Sequence, residues 1–309
     1  MARAREARGW RFLIDFEEHA ERLLGRCRFP PAETPVTCAV SGGADSTALL
    51  ILAVASGCSV TAVHVDHGLR AGSAAEADVV AQAAERFGAG FVAVRAEVEF
   101  GPNLEARARA ARAAVLPTDV LTGHTADDQA ETLLLNLVRG SGVDGLSGIG
   151  RQAQRPLLNL RRAETAALCA AAGLEVVVDP TNTDPRFTRN RMRHEVLPLL
   201  AQVAQRDPVP LLCRLADLAG DEGALLDELA RQVDPTDCDS LARAPAPLAR
   251  RALRSWLRSE FAGYAPDAAA VERALAVARG EAVGADVVSG VSVRRTRGRL
   301  RIERAAGDR

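Results

Sequence analysis

A short glycine-rich segment, Ser-Gly-Gly-Ala-Asp-Ser at residues 41–46, constrains the fold of this chain more than any other stretch. It follows the apolar, β-rich run 36–40 and precedes the apolar run 47–53, which is typical of a buried helix. Glycines let backbone N–H groups approach an anion closely, and the amino-terminal end of a helix attracts negative charge. The pattern therefore predicts a strand, a phosphate-binding turn and a helix. The alternative is an ordinary strand–helix turn that carries a serine cap.

The aspartate inside this segment is unusual for a phosphate loop. A carboxylate at Asp45 would repel phosphate unless it holds Mg²⁺ against the phosphate oxygens. The segment also lacks the Gly-Lys-Ser/Thr ending of the Walker loop, so it belongs to another kind of nucleotide loop.

The length of 309 residues is too great for one ordinary domain and suits two. We predict an α/β domain over residues 1–205, with a parallel twisted sheet flanked by helices. Residues 207–210 have the composition of a linker. The smaller domain, residues 206–309, is predicted to be mostly helical and to end in a β-hairpin that turns at 297–298.

The composition is that of a globular protein, with 48% hydrophobic and 26% charged residues. No apolar run is long enough for a membrane span, so we expect no membrane partner. The six cysteines include no Cys-x-x-Cys pair, which favours reduced thiols in the cytoplasm over disulfides or zinc. All 39 basic residues are arginine, whose fork suits phosphate, so a nucleic-acid partner is compatible with the net charge of −1.

Two polar segments follow predicted strands. The segment 64–70, His-Val-Asp-His-Gly-Leu-Arg, lies where ligands bind in open parallel sheets. We prefer a nucleotide contact there over a metal site or a solvated strand end. The segment 123–132, Gly-His-Thr-Ala-Asp-Asp-Gln-Ala-Glu-Thr, opens a helix. Its acids suit Mg²⁺, although the first turn of any helix favours negative charge.

Three segments are rich in arginine. Glu105, Arg109 and Arg112 share one face of a predicted helix. Four arginines follow a turn-rich loop over residues 186–193, and the terminal residues 283–309 carry seven arginines against three acids. Each segment favours contact with phosphate or RNA, and the alternative for each is an ordinary solvated face.

The motifs together resemble those of one family, the tRNA(Ile)-lysidine synthases, which are PP-loop ATP pyrophosphatases with an adenine nucleotide alpha hydrolase-like fold. The resemblance covers about residues 36–200, in the correct order, and looks closest to the shorter members. The blocks at 64–70 and 123–132 and the Arg-Asn-x-x-Arg block at 189–193 carry most of its specificity. Two departures are Ala113, where an aromatic residue is often seen, and Thr181 in place of a serine.

The resemblance implies a defined reaction. ATP adenylates the C2 carbonyl oxygen of cytidine 34 in the CAU anticodon of tRNA(Ile) and releases pyrophosphate. The amine of free L-lysine then displaces AMP and gives lysidine. The implied cofactors are ATP and Mg²⁺, and the resemblance leaves a homodimer open.

The resemblance also implies roles for individual residues. The catalytic residues would be Asp45, Asp128, His124 and Arg112, with Asp45 and Asp128 holding the metal. The ATP-binding residues would be Ser41, Gly42, Gly43, Ala44, Asp45, Ser46 and His64. The residues for substrate or tRNA would be Glu105, Arg109, Arg139, Arg189, Asn190 and Arg193.

Three rivals share some of these features. A tRNA thiolase would need a sulfur-carrying cysteine or an iron–sulfur cluster, which the missing Cys-x-x-Cys disfavours. Small-molecule ligases with the same loop would leave the arginines at 186–193 unexplained. A non-catalytic RNA-binding module would have no need for the intact Ser41, Asp45, Ser46 and Asp128.

Overall fold

The computed structural model describes residues 16–66, 68, 73–96, 104–150, 153–177, 179–261 and 266–304. It divides into two compact units between Asp217 and Leu218, within helix α10 (Val209–Ala230). The boundary predicted between residues 205 and 206 lies just before this helix. Among the described helices, none combines the length and the apolarity needed to cross a membrane.

The first unit contains a four-stranded sheet in the order β3-β2-β1-β4, with every neighbouring pair parallel. Residues 16–24 form helix α1. The next elements alternate along the chain: β1 (Pro35–Ala39), α2 (Ala44–Ala55), β2 (Ser59–Asp66), α3 (Ser73–Arg86), β3 (Gly90–Arg95), α4 (Leu104–Val115) and β4 (Leu121–Thr122). This alternation confirms the predicted α/β fold.

Helix α2 lies at the centre of the first hydrophobic core. Seven consecutive residues from Thr47 to Ala53 are buried, because the helix is apolar on all sides and packs between the sheet and other helices. Strands β1 and β4 are adjacent, with Cys38 opposite Leu121. Their carboxyl ends therefore place the loop 41–46 beside the loop that starts at Gly123.

The rest of the first unit is helical. Its elements are α5 (Ala126–Val138), α6 (Val143–Leu146), α7 (Arg162–Ala171), a 3₁₀ turn (Pro180–Thr183), α8 (Thr188–Arg191), a π-helical turn (Met192–Val196) and α9 (Leu197–Ala204). The strand expected over residues 175–178 is wrong for its described part, since residues 174–177 have no regular structure. A backbone hydrogen bond joins this segment to the loop after β1. The N–H of Val177 donates to the carbonyl of Gly42 (2.9 Å).

The second unit is smaller and mainly helical. Its elements after α10 are α11 (Cys238–Arg243), α12 (Ala246–Glu260), α13 (Ala268–Arg279), β5 (Gly284–Val288), β6 (Val291–Thr296) and β7 (Arg299–Arg304). The three strands form an antiparallel sheet, so the terminal hairpin gains one more strand than predicted. The predicted turn is confirmed, with positive φ at Arg297 (50°) and Gly298 (78°).

Candidate active site

Hydrogen bonds within the loop at residues 41–46 fix its conformation. The N–H of Ser41 donates to Oγ of Ser46 (3.1 Å), and that hydroxyl donates to the carbonyl of Gly43 (2.9 Å). Gly42 has φ of 87°, and a Cβ there would lie 2.7 Å from Cγ2 of Val177, so a side chain has neither the conformation nor the space. The segment thus forms the predicted tight turn before α2.

The loop after β4 packs directly on this turn. A Cβ at Gly123 would lie 2.6 Å from the carbonyl oxygen of Asp45, which only a glycine permits. The chain then enters α5, where Oδ2 of Asp128 accepts from both the N–H and the hydroxyl of Thr125 (2.9 Å each). This reciprocal cap fixes the Asp128 carboxylate at the start of the helix.

Beside these two loops lies a group of ionic side chains that we call the Arg162 cluster. Its members are Asp45, Asp128, Glu131, Arg162, Arg189 and Arg193. Arg162, the first residue of α7, reaches all three carboxylates: Nε lies 3.2 Å from Asp45, Nη2 lies 2.9 Å from Asp128 and Nη1 lies 3.1 Å from Glu131.

Glu131 is fully buried and accepts from three arginines. Besides Arg162, Nε of Arg189 lies 2.8 Å away and Nε of Arg193 lies 2.7 Å away. A buried carboxylate is tolerable only with such pairing, because desolvation of an isolated charge costs several kcal/mol. Arg189 and Arg193 therefore point towards α5.

Asp45 is half-buried and has two partners on helix α7. Its Oδ1 accepts from the hydroxyl of Thr165, which is fully buried, and its Oδ2 accepts from Arg162. Burial raises the pKa of the Asp45 carboxyl, although the Thr165 hydrogen bond and the charge of Arg162 counteract it. Among the described residues, one donor reaches each oxygen, so lone pairs remain on both.

Asp128 has no such spare capacity. Burial opposes its ionisation, yet the charges of Arg162 and Arg189 hold the pKa of this carboxyl below its usual range. Oδ1 accepts from Nη2 of both arginines and Oδ2 accepts twice from Thr125. These four donors match the roughly four lone-pair sites of a carboxylate.

The two histidines of the predicted site are both well enclosed. Nδ1–H of His64 donates to the carbonyl of Val40 (2.9 Å), so this buried ring braces the strand that leads into the phosphate loop. Nδ1 of His124 lies 2.8 Å from the hydroxyl of Thr122. Burial lowers the pKa of His124 to about 4, despite the nearby charge of Asp128, so its ring is neutral at pH 7.

The remaining predicted residues are more scattered. Arg112 and Arg139 are exposed at the ends of α4 and α5. Asn190 is buried, and its amide donates to the carbonyls of Thr181 (2.7 Å) and Asp184 (2.9 Å), so it holds the preceding loop. The side chains of Glu105 and Arg109, also on α4, lie outside the described residues.

Sequence reasoning missed two members of the site, namely Arg162 and Thr165, and it noted Glu131 only as one of the acids of the segment 123–132. One signal was available for the first. Arg161 and Arg162 stand at the start of a predicted helix, where positive charge is unfavourable. Two arginines there indicate acids in contact from elsewhere in the fold. Asp127 provides a second such contact, since it accepts from Nη2 of Arg161 (3.0 Å) and from the N–H of Arg162 (2.8 Å).

Within the described residues, no group of three or more histidine, cysteine, aspartate or glutamate side chains is arranged to hold a metal ion. Mg²⁺ often needs only one or two carboxylates, because substrate phosphates and water complete its shell. Asp45 fits that requirement as it stands. Asp128 fits it only when one of its arginine contacts opens.

The parallel sheet and the glycine-rich loop between β1 and α2 define a PP-loop protein. Residues 15–200 match the family model of the PP-loop domain. Residues 237–301 match the model of the TilS substrate binding domain. The chain belongs to the tRNA(Ile)-lysidine synthase family.

Sequence identity to named relatives supports this assignment. The chain is 41% identical to the tRNA(Ile)-lysidine synthase of Nocardia farcinica, with 93% of this chain and 98% of that protein covered. It is 44% identical to that of Rhodococcus erythropolis over 72% of this chain and 73% of that protein. The solved U34-tRNA thiolase NcsA of Methanococcus maripaludis, with its 4Fe-4S cluster, is similar in fold, with a TM-score of 0.52 at 17% identity over 68% of this chain and 80% of that one.

Proposed function

We propose that this chain joins L-lysine to C2 of cytidine 34 in the CAU anticodon of tRNA(Ile), with ATP converted to AMP and pyrophosphate. The observation that carries the proposal is the 41% identity to a tRNA(Ile)-lysidine synthase over 98% of that protein's length. The ionic site beside the phosphate loop supports it independently, since a non-catalytic RNA-binding module would not need a half-buried carboxylate with free lone pairs at Asp45.

The first step needs a place for the pyrophosphate that leaves. The C2 oxygen of the cytidine forms a bond to the α-phosphorus of ATP while the bond to the β-phosphate oxygen breaks. We assign the leaving group to the turn of Ser41, Gly42, Gly43, Ala44 and Ser46, together with the first N–H groups of α2. The Ser41–Ser46 and Ser46–Gly43 hydrogen bonds already hold those groups in place, so the turn needs little reorganisation when it binds pyrophosphate. We assign the adenine side of ATP to the end of β2 near His64.

We further propose that Asp45 and Asp128 hold Mg²⁺. The ion would offset negative charge on the phosphates of ATP. Asp45 has free lone pairs and a partner residue, Thr165, that keeps its carboxylate in place. Asp128 lies against the same guanidinium and would join once Arg162 releases it.

In the second step the lysine amine bonds to C2, and the C2–O bond to AMP breaks. We assign neutral His124 and Arg112 to the stabilisation of the adenylated base, and Glu105 and Arg109 to its orientation. For the tRNA we propose a contact from the exposed Arg139. Arg189, Asn190 and Arg193 would act on tRNA binding by positioning the segment 181–193, since their polar groups face Glu131 and the carbonyls of Thr181 and Asp184. The second unit would contribute phosphate contacts, in keeping with its match to a substrate binding domain.

A homodimer and a cytoplasmic location also remain our proposals. Helix α10 supports the first, because Leu211, Leu215, Leu218, Leu225 and Leu229 are exposed at successive spacings of four, three, seven and four residues, which are compatible with a coiled-coil seam. Light scattering after size-exclusion chromatography would measure the mass. All six cysteines are free thiols, which supports a reducing compartment.

The decisive experiment incubates the purified chain with ATP, Mg²⁺, labelled lysine and tRNA(Ile) bearing CAU. We expect labelled tRNA and one pyrophosphate for each lysine incorporated, with elongator methionine tRNA as the negative control. Asp45→Ala should lose at least 100-fold in rate, the order of loss for removing a group that acts on developing charge. ATP binding without lysine incorporation by the wild type would contradict the proposed reaction.

A further inference from the structure

Two arginines of the Arg162 cluster divide one edge of the guanidinium between two carboxylates. Arg189 divides it between Asp128 and Glu131, which both lie on α5, whereas Arg162 joins carboxylates of two different elements. Nε and Nη2 form one edge of a guanidinium, and this edge normally binds both oxygens of a single carboxylate. Arg161 binds Asp127 in this way, with Nε 3.1 Å and Nη2 3.0 Å from its oxygens, and Arg186 binds Asp184 likewise. In Arg162 the edge is divided between two carboxylates, Asp45 and Asp128, on different elements.

The divided edge places a positive charge between two acids that are far apart in the chain. Asp45 lies at the start of α2 and Asp128 at the start of α5, and each gives one oxygen to Arg162. A divalent cation that bridges these two oxygens would need the space between them, which the guanidinium occupies. The guanidinium and the cation therefore exclude each other.

We propose that Arg162 is a positioning residue that takes the place of a divalent cation between Asp45 and Asp128 until ATP brings the cation in. The inference rests on the proposed function, because it takes ATP as the carrier of the metal. Arg162 keeps the two acids together and neutralised in the free chain. When the cation arrives with the phosphates, Arg162 leaves this edge and keeps its Nη1 contact with Glu131 (3.1 Å).

The surrounding contacts make this exchange physically reasonable. Glu131 retains Arg189 and Arg193 after any movement of Arg162, so its buried charge stays paired. Asp128 retains Arg189 and both contacts from Thr125, and Asp45 retains Thr165. These remaining contacts are also the reason we expect the full chain to fold without the Arg162 guanidinium.

The test measures Mn²⁺ binding to the full chain without ATP or tRNA, by the loss of the free-ion electron paramagnetic resonance signal. We expect Arg162→Gln to lower the Kd for Mn²⁺ at least tenfold, because it frees Oδ2 of Asp45 and removes one of the two donors on Oδ1 of Asp128. The matched control is Arg189→Gln. It removes the same charge beside Asp128 and Glu131 but leaves the Asp45–Arg162–Asp128 contacts, so its Kd should stay within about threefold of the wild-type value.

Two further measurements keep the proposal open to refutation. Arg162→Lys retains a cation without the two-donor edge, and it should give an intermediate gain even if Arg162→Gln fails to fold. In the wild type, a non-hydrolysable ATP analogue should tighten Mn²⁺ binding to the chain. Equal Mn²⁺ affinity of folded Arg162 variants, Arg189→Gln and the wild type would overturn the role of Arg162. Failure of the wild type to bind the analogue would instead count against the proposed function.

Discussion

At the scale of single residues, Glu131 shows how burial decides what a charge does. The carboxylate has no exposed surface, and it accepts from arginines on α7, on α8 and in the π-helical turn. Its three partners come from segments that are distant in sequence, so one side chain joins α5 to the elements that complete the site. A neutral residue in its place would leave three guanidinium groups short of a counter-charge.

Glu131→Gln should therefore lower the free energy of unfolding by about 3–5 kcal/mol, the usual cost of breaking a buried ion pair. Glu195→Gln is the matched control, since Glu195 forms an exposed pair with Arg191 (2.9 Å), and solvent screens such a pair, so its loss should be much smaller. Urea unfolding followed by circular dichroism measures both. Similar losses of unfolding free energy in the two variants would show that the buried Glu131 contributes no more to stability than an exposed ion pair.

His124 makes stability depend on pH in a predictable direction. Its pKa falls from the usual 6.5 to about 4 in the folded chain, chiefly because of burial. Above pH 6.5 the ring is neutral in both folded and unfolded chains and contributes no pH dependence. Between pH 6.5 and about 4 the unfolded chain takes up the proton more readily, so stability falls as the pH falls.

We expect His124→Asn, which retains a polar atom near the Thr122 hydroxyl, to lose less stability than the wild type between pH 7 and pH 4.5. The difference is at most about 3 kcal/mol, at roughly 1.4 kcal/mol for each unit of pKa. Parallel urea titrations at the two pH values measure this difference. The stability that both proteins lose when their carboxylates are protonated cancels in the comparison. Identical pH slopes would show that His124 titrates normally.

At the scale of elements, the fit between two loops positions the site. The turn before α2 and the turn before α5 approach so closely that the carbonyl oxygen of Asp45 occupies the space a side chain at Gly123 would need. The carboxylates of Asp45 and Asp128 reach one guanidinium because these turns are in contact.

Gly123→Ala should separate the two turns. Overpacking of this kind costs about 1–3 kcal/mol, and the displaced Asp45 should weaken ATP binding by at least tenfold. Gly142→Ala is the control, because a Cβ there meets nothing within 4 Å and its φ of −73° suits alanine. Calorimetric titration with an ATP analogue and thermal unfolding distinguish the variants. An unchanged affinity in Gly123→Ala would mean that the loop contact has no part in binding.

Most elements were predictable because their signals are local. Glycines, capping residues and runs of apolar residues specify the turn at 41–46, the buried helix α2 and the hairpin turn at 297–298. The expected strand at 175–178 failed in its described part, because Val177 packs over Gly42 and residues 174–177 have no regular structure. The Arg162 cluster was not predictable in detail, since its contacts join residues between 31 and 117 positions apart in the chain.

At the scale of the whole molecule, the second unit presents arginines on its terminal sheet. Arg294 and Arg301 are directly opposite on β6 and β7, and both are exposed. Arg294 is neutralised by Glu303 (2.9 Å). Among the described residues, Arg301 forms no such ion pair, so its charge remains available to a phosphate.

Arg301→Gln should weaken tRNA binding and reduce the slope of log affinity against log salt by about one, the change expected for one lost phosphate contact. Arg294→Gln should change the slope less, because Glu303 already compensates that charge. Filter binding at several salt concentrations measures both variants, and ATP affinity serves as the check on folding. Equal slopes for Arg301→Gln and the wild type would remove this sheet from the tRNA contact surface.

The distance along the chain between Asp45 and its partners sets an order of events during synthesis. Arg162 lies 117 residues later and Thr165 lies 120 residues later. At about 5–20 residues per second, the ribosome needs on the order of ten seconds to deliver them after the phosphate loop is made. Until then, a nascent chain carries Asp45 and Asp128 without the guanidinium that holds them together. The ion-paired form of the site therefore arises only when α7 has left the ribosome.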